Sequence, residues 1–184
     1  MSIETTKIAN TTRFYRKIHR WVALPLFVFM LLVGITGLLL GWKKQSYLLP
    51  KTESSKIERG NFISLDSTQG IAKNYAKNVL KLSAEIDRID FRPKKGIAKI
   101  IFSEHFTEIQ IDCKSGKILA VNTRKSDFIE KIHDGSIIDF FVKNENDVFK
   151  LAYTSFTSIG LILLSFSGFW LWYNPIRIRR KKQT

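Results

Sequence analysis

The stretch RKIHRWVALPLFVFMLLVGITGLLLGWKK, Arg16 to Lys44, decides the architecture. From Trp21 to Trp42 its 22 residues carry no charge. As a helix they reach about 33 Å, enough to cross a hydrocarbon core of about 30 Å. A second uncharged run, Leu151 to Tyr173, is as long, and no other stretch comes close. Leu, Ile, Val and Phe dominate both runs. Trp21, Trp42, Trp170, Trp172 and Tyr173 stand at their ends, where interfacial aromatics belong. Pro25 is expected in the first turn of its helix, where a missing N–H costs little. The first run is too long for the apolar core of a signal peptide, and no small-x-small cleavage site follows it. It reads as a retained membrane helix, and two spans place both termini on one side.

Charge chooses the side. Lys7, Arg13, Arg16, Lys17 and Arg20 precede the first run; Arg177, Arg179, Arg180, Lys181 and Lys182 follow the second. Ten cations against Glu4 leave the tails at +9, so the loop holds +5 of the formal +14. Short basic flanks stay in the cytoplasm, while long loops translocate largely regardless of charge. Both termini are expected in the cytoplasm and the loop outside it. Lys43 and Lys44, on the outer side, oppose this weakly. The basic juxtamembrane residues suit anionic lipid heads, and nucleic acid is not an expected partner.

The loop has the signals of a domain. After a polar stretch, Lys51 to Arg59, Ile71, Tyr75, Val79 and Leu82 fall at near-helical spacing, with Asp66 or Ser67 as the expected cap. The period then shortens through IDRIDFRP, IAKIIFSE, FTEIQID and KILAVNTR, with Pro93 to Gly96 and Lys114 to Gly116 as turns. The expected fold is a membrane protein. Two transmembrane α-helices flank a small extracytoplasmic α+β domain, one helix with three or four antiparallel strands. Residues 1–20 form a basic tail, 21–42 the first span, 43–150 the outer domain with an amphipathic segment at 126–145, 151–173 the second span and 174–184 a basic tail.

Chemistry-bearing residues are few. The single cysteine, Cys113, shares a strand face with Ile109 and Ile111 and reads as buried filler. His105 lies between two strands and reads as an exposed turn residue. No nucleophile with a base partner, glycine-rich phosphate loop or metal-ligand cluster is present in the sequence. That leaves His19 and His133 among three histidines.

Taken together, the pieces resemble the PepSY-associated transmembrane family of bacterial inner-membrane proteins. The first helix of that family opens with His, Arg or Lys, then Trp, and carries Thr-Gly-Leu-Leu-Leu, here Thr36 to Leu40. Its PepSY segment ends in an Asp-x-x-Thr-Gly turn, here Asp112 to Ile118 with Ser115 for Thr. Leu-His-x-Gly precedes the next helix, here Ile132 to Gly135, and that helix ends Thr-Gly-Leu-x-Leu-Trp, here Ser167 to Trp172. The resemblance covers residues 13 to 173. Larger members look like ferric-siderophore reductases, with haem b held by histidines between membrane helices and electrons passed outward. Others are known as PepSY modules, associated with protease inhibition or local regulation. This chain departs from the reductases in having two spans where they have four or more, and no histidine inside either.

The resemblance makes His19 and His133 candidate haem-iron ligands, and Arg13, Arg16 and Arg20 candidate partners for the propionates. The expected topology puts the two histidines at opposite membrane surfaces, about 30 Å apart, too far for one iron. A homodimer would pair each with its mate around a two-fold axis. Asp134 and Asp139 are expected to orient His133. The other readings stand beside this one: His19 as part of a basic collar, and His133 packed against lipid or the loop domain. Gly34, Gly37, Gly41 and Gly168 are candidate helix-packing residues, either in a dimer or between the two helices of one chain.

Three functions follow. The first is a haem-binding electron-transfer protein in iron uptake, as a homodimer or a subunit of a larger membrane complex. The second is a tethered, non-catalytic module binding a periplasmic partner. The third is an accessory subunit with SFTSIGLILLSFSG as its contact face.

Overall fold

The structure is a computed structural model describing residues 3–56, 60–144 and 146–183, with 3–5 and 181–183 as backbone only. Glu4, Lys181, Lys182 and the end of the polar stretch at 57–59 therefore lie outside the described side chains. In chain order the elements are α1 (Ile3–Gly41), α2 (Leu65–Tyr75), β1 (Ile86–Arg92), β2 (Ile97–Phe102), β3 (Thr107–Asp112), β4 (Ile118–Thr123), α3 (Lys125–His133), α4 (Ser136–Val142) and α5 (Val148–Gln183). They form two compact units. One holds the long helices, up to Gly37 and from Ile132 onward; the other is Leu38–Lys131. The outer-domain boundaries expected at 43 and 150 thus differ from the contact boundaries, because α4 belongs with the long helices.

The two apolar runs are helical, and only 11 % of the most apolar stretch of each is buried. Leu24, Phe27, Leu38, Leu151, Phe166 and Trp172 are all more than half exposed. Surfaces this apolar need lipid rather than water around them. Both helices run on into the basic flanks. Residues 3–24 contain no glycine or proline, so nothing stops α1 short of Ile3. Pro25 is therefore interior rather than in a first turn. Its ring removes the N–H that would reach the Trp21 carbonyl, an irregularity membrane helices tolerate.

The helices pack antiparallel along a seven-residue seam. Thr12 meets Asn174 (3.1 Å), His19 meets Ser167 (2.9 Å) and Leu26 sits on Gly160. Each step advances seven residues on α1 and retreats seven on α5, the period of a left-handed helix pair. Tyr15 stacks on Trp170, and Phe29 meets Tyr153 and Phe156 edge-on. A Cβ on Gly160 would overlap Leu26, whereas Gly34 and Gly41 have nothing within 4 Å. The close approach within the chain is thus made at Gly160, outside the glycine set singled out from the sequence.

α4 ties the start of α5. The buried Asp139 carboxylate accepts the N–H groups of Phe149 (3.1 Å) and Lys150 (2.8 Å), satisfying the open first turn of α5 from another helix. Asp139→Ala is expected to cost about 1–2 kcal/mol. The check is amide hydrogen exchange at Phe149 and Lys150 in the detergent-solubilised protein, expected to quicken by about tenfold.

In the second unit the strands lie in the order β1-β2-β3-β4, all antiparallel. Ala98, Ile100, Phe102, Ile109, Ile111 and Cys113 make one face, covered by Ala72 and Ala76 with Ile71 and Tyr75. Ser64, not Asp66 or Ser67, caps α2, accepting the Ser67 N–H. A π-helical turn, Ala76–Leu80, follows α2 and ends at Lys81 in the left-handed region. The wider turn moves the apolar stripe by one position. Leu80 reaches the core, while Val79 and Leu82 are exposed.

The other face of the sheet is polar and also buried, which the sequence did not announce. Residues 48–55, which run into the polar stretch ahead of the first order signals, lie across it as a strap. Gln110 accepts the Glu53 N–H and donates to the Lys51 carbonyl, and the Leu48 carbonyl accepts the Ser126 N–H. Ser55 donates its hydroxyl to Asp112 (2.8 Å), whose other oxygen accepts the N–H groups of Lys114 and Ser115. Beneath the strap Glu108, fully buried, bonds Lys99 (3.2 Å) and Arg124 (2.5 Å), and Arg124 also holds Asp127 (2.6 Å).

Burial alone would raise the Asp112 carboxyl, but the bonds from Lys114, Ser55 and Ser115 outweigh it and hold it below its ordinary value. A lowered folded-state value gives stability that is complete above the ordinary carboxylate range and lost as pH falls through the depressed value. Acidification below about pH 4 is therefore expected to loosen the β3–β4 turn first. Hydrogen exchange of that turn in the whole protein checks it, with Asp112→Asn losing part of the pH dependence.

Candidate functional site

His19 and His133 both lie in the unit of the long helices, half-buried, and each is seated in the same way. His19 projects from α1 onto α5. Its Nδ1 is 2.9 Å from the Ser167 hydroxyl, and its Cε1 is 3.6 Å from where a Cβ on Gly168 would stand. His133, at the end of α3, has Nδ1 2.8 Å from the Thr36 hydroxyl and Cε1 3.4 Å from a Cβ position on Gly37. A hydroxyl residue followed by glycine thus receives each ring: the hydroxyl bonds it, and the missing side chain leaves room for it.

The hydrogen bonds also fix the tautomer. Ser167 Oγ is 2.6 Å from the Leu163 carbonyl, and Thr36 Oγ1 is 2.7 Å from the Leu32 carbonyl. Two oxygens that close need a hydrogen between them, so each hydroxyl spends its one hydrogen on its own helix. It can then only accept from the histidine, which places the ring hydrogen on Nδ1. In the neutral ring Nε2 keeps its lone pair, and among the described residues neither Nε2 has a hydrogen-bond partner. This is the arrangement in which metal-binding imidazoles are held: one nitrogen oriented by a hydrogen bond, the other free to ligate.

The orienting groups differ from the expected ones. Asp134 accepts from the Ser136 N–H and hydroxyl and faces Lys150 (3.7 Å), and Asp139 caps α5, so neither holds His133. Thr36 does. Beside this ring Gly135 adopts a left-handed conformation (φ 81°), and Tyr153 packs where its Cβ would be, at 2.6 Å. The Tyr153 hydroxyl is buried with no hydrogen-bond partner among the described residues.

Along α1 the spacing from His19 to Thr36 corresponds to about 25 Å. The two imidazoles are therefore separate points, as expected, and one chain does not bring them to one iron. Arg13, Arg16 and Arg20 are exposed on a single flank of α1, about 60–120° round from His19. Gly37 and Gly168 serve the histidine seats, and Gly34 and Gly41 face open space.

The family comparison bears on these seats directly. The family model for the PepSY-associated TM region matches residues 16–184, which takes in both histidines, both hydroxyl–glycine pairs and the whole sheet unit. The chain belongs to this family. It is accordingly a PepSY-associated membrane protein, and its two exposed apolar helices are each long and apolar enough to cross a membrane. A comparison with curated proteins gives no match.

Elsewhere in this PepSY-associated chain the other expected positions resolve simply. Cys113 is buried in the sheet core, and burial pushes its thiol up from its ordinary value, as for an inert filler. His105 is not an exposed turn residue. Its ring stacks on Phe102 (4.8 Å between centroids) and its Nε2 bonds the Ser83 carbonyl, because the β2–β3 turn folds back over the core. Among the described residues no three His, Cys, Asp or Glu side chains gather to hold a metal ion.

Ser167, Thr36 and Asn174 were not assigned roles from the sequence. A signal was there: Thr12, His19, Leu26 and Val33 recur every seventh residue, as do Tyr153, Gly160, Ser167 and Asn174. The polar members of the two series lie opposite one another.

Proposed function

We propose that this protein is a haem-b-binding electron-transfer protein of the bacterial inner membrane, related to ferric-siderophore reductases and serving iron uptake. His19 and His133 hold haem iron near opposite surfaces. The observation that carries this reading is the matched pair of seats, two histidines each bonded through Nδ1 to a hydroxyl on another helix, with no partner at Nε2 among the described residues. The donor chemistry fits iron, for which neutral imidazole is a common ligand. Bound haem would supply one-electron transfer; the chain supplies the ligands, their orientation and an apolar surround. Arg13, Arg16 and Arg20 stand where propionates at the inner surface would find cations.

Both termini are cytoplasmic and the sheet unit lies outside, by the distribution of the basic flanks. Since one chain offers its imidazoles about 25 Å apart, a homodimer or a larger complex completes the ligand sets. The test is the visible spectrum of protein purified in detergent from haem-sufficient cells, where a Soret band is expected. Colourless protein overturns the reading.

A second reading has its own observation. In the sheet unit an apolar recess of about 460 Å³ opens between Phe62, Leu65 and Phe91, with Cys113 at its lining. Phe62 and Phe91 are both 45 % exposed. A tethered module that binds an apolar segment of a periplasmic partner would present such a surface. The third reading keeps a contact face: Thr157, Gly160 and Ser167 of SFTSIGLILLSFSG are buried, but Ile159, Leu161, Ile162 and Phe166 are each more than half exposed.

A further inference from the structure

One flank of the α1/α5 hairpin carries two recesses that the histidine seats do not use. The first, about 260 Å³, lies beyond Trp170 toward the basic ends, between Lys7, Thr11 and Tyr15 of α1 and Asn174 and Arg177 of α5. Its two cations come from different helices, and neither has an acidic partner among the described residues. Asn174 is buried and fixed by its bond to Thr12, so the polar floor is rigid. The second recess, about 290 Å³, is wholly apolar and lies between Trp21, Val22 and Pro25 of α1 and Ile159, Gly160 and Leu163 of α5.

The two recesses line up. Lys7, Thr11, Val22 and Pro25 all fall on the side of α1 away from Arg13, Arg16 and Arg20. From Lys7 to Val22 is 15 residues and from Arg177 back to Leu163 is 14, about 21–23 Å along the helix. A cationic pocket at headgroup level is thus followed, one chain-length deeper, by an apolar one. That is the order of parts in a phospholipid. Leu26 fills the space a side chain on Gly160 would take, and the recess lies beside that contact, lined by Pro25 and Gly160.

We propose that this flank binds one anionic phospholipid, with its phosphate between Lys7 and Arg177 and an acyl chain in the recess at Pro25 and Gly160. The site is built from both helices, so the lipid joins them at the end of the seam. It is independent of haem. Phosphate is favoured over a quinone head because two cations without an acidic partner among the described residues flank the polar recess, and an uncharged ring would leave them unanswered.

Native mass spectrometry of the whole protein tests this. The protein is offered phosphatidylglycerol or phosphatidylcholine of the same chain length, with and without millimolar inorganic phosphate. One retained phosphatidylglycerol is expected, in preference to phosphatidylcholine and unaffected by free phosphate. Lys7→Ala with Arg177→Ala is expected to lower its retention about tenfold or more. Ile159→Trp, which fills the deeper recess, is expected to lower it several-fold. Lys17→Ala, at the same end of α1 but facing away, is expected to leave it unchanged. Equal retention of phosphatidylcholine, undiminished binding by the double variant, or an equal loss with Lys17→Ala would each overturn the site. Displacement by inorganic phosphate would overturn the lipid as its ligand.

Discussion

Glu108→Ala is expected to destabilise the sheet unit by about 3–5 kcal/mol, a large share of the stability of a small domain. Glu108 is fully buried on β3 and answers two cations at once, Lys99 on β2 and Arg124 after β4. Its Oε1 also accepts from Gln110, the residue that anchors the strap. Removing the carboxylate leaves the Lys99 side chain, 4 % exposed, without a counter-charge. In the intact protein burial alone would lower the Arg124 guanidinium, but the bonds to Asp127 and Glu108 hold it above its ordinary value; the variant leaves it Asp127 alone. The cost is the desolvation of a stranded charge rather than the worth of one ion pair, so a partial rescue follows. Glu108→Ala combined with Lys99→Met removes the stranded charge and is expected to recover a substantial part of the loss. Hydrogen exchange across the β2–β3 pairing in the whole protein measures both, since a change of this size quickens exchange by about a hundredfold or more. A change below tenfold in the single variant would mean that water reaches Lys99 and that the strap does not seal this face.

That buried ionic face shows where the sequence stops speaking. The strands were legible because their ends are punctuated: Gly96 (φ 64°) and Gly116 (φ 71°) turn the chain where Pro93 to Gly96 and Lys114 to Gly116 led one to expect it. The apolar face was legible too, as the alternation through Ala98, Ile100 and Phe102. Lys99, Glu108 and Gln110 lie on the facing positions beside Ile97 and Ile101, and the strap across them makes them core. A polar strap has no periodicity by which to be recognised. The π turn after α2 was hidden for a related reason, since its extra residue moves the stripe without changing the composition. On the long helices, composition marked the two apolar runs. It did not show that the basic flanks continue them, which is why Pro25 was expected in a first turn. The histidines stood out by rarity, but their partners are a serine and a threonine among many. What singles out Ser167 and Thr36 is their place, opposite an imidazole and before a glycine.

Those two hydroxyls make the haem reading answerable without any appeal to the family. If His19 and His133 are the ligands at two separate points, His19→Ala and His133→Ala are each expected to remove part of the Soret absorbance, and the double variant all of it. Loss of everything from either single variant would instead mean that one centre depends on both, against their separation along α1 of about 25 Å. The hydroxyl variants then distinguish a ligand seat from a mere packing contact. Ser167→Ala and Thr36→Ala leave the imidazoles in place but remove the acceptor that holds the hydrogen on Nδ1. The ring is then free to turn and to carry its hydrogen on Nε2, which cannot bind iron in that form. Haem affinity is expected to fall about 10- to 100-fold, with a shift in the reduction potential of what remains. Ser167→Thr and Thr36→Ser, which keep the acceptor, are expected to restore both. A structural role alone predicts a different pattern, with lower thermal stability but an unchanged potential and an unchanged spectrum per haem. The decisive readout is therefore a redox titration of each variant, followed at the Soret band, beside its melting temperature.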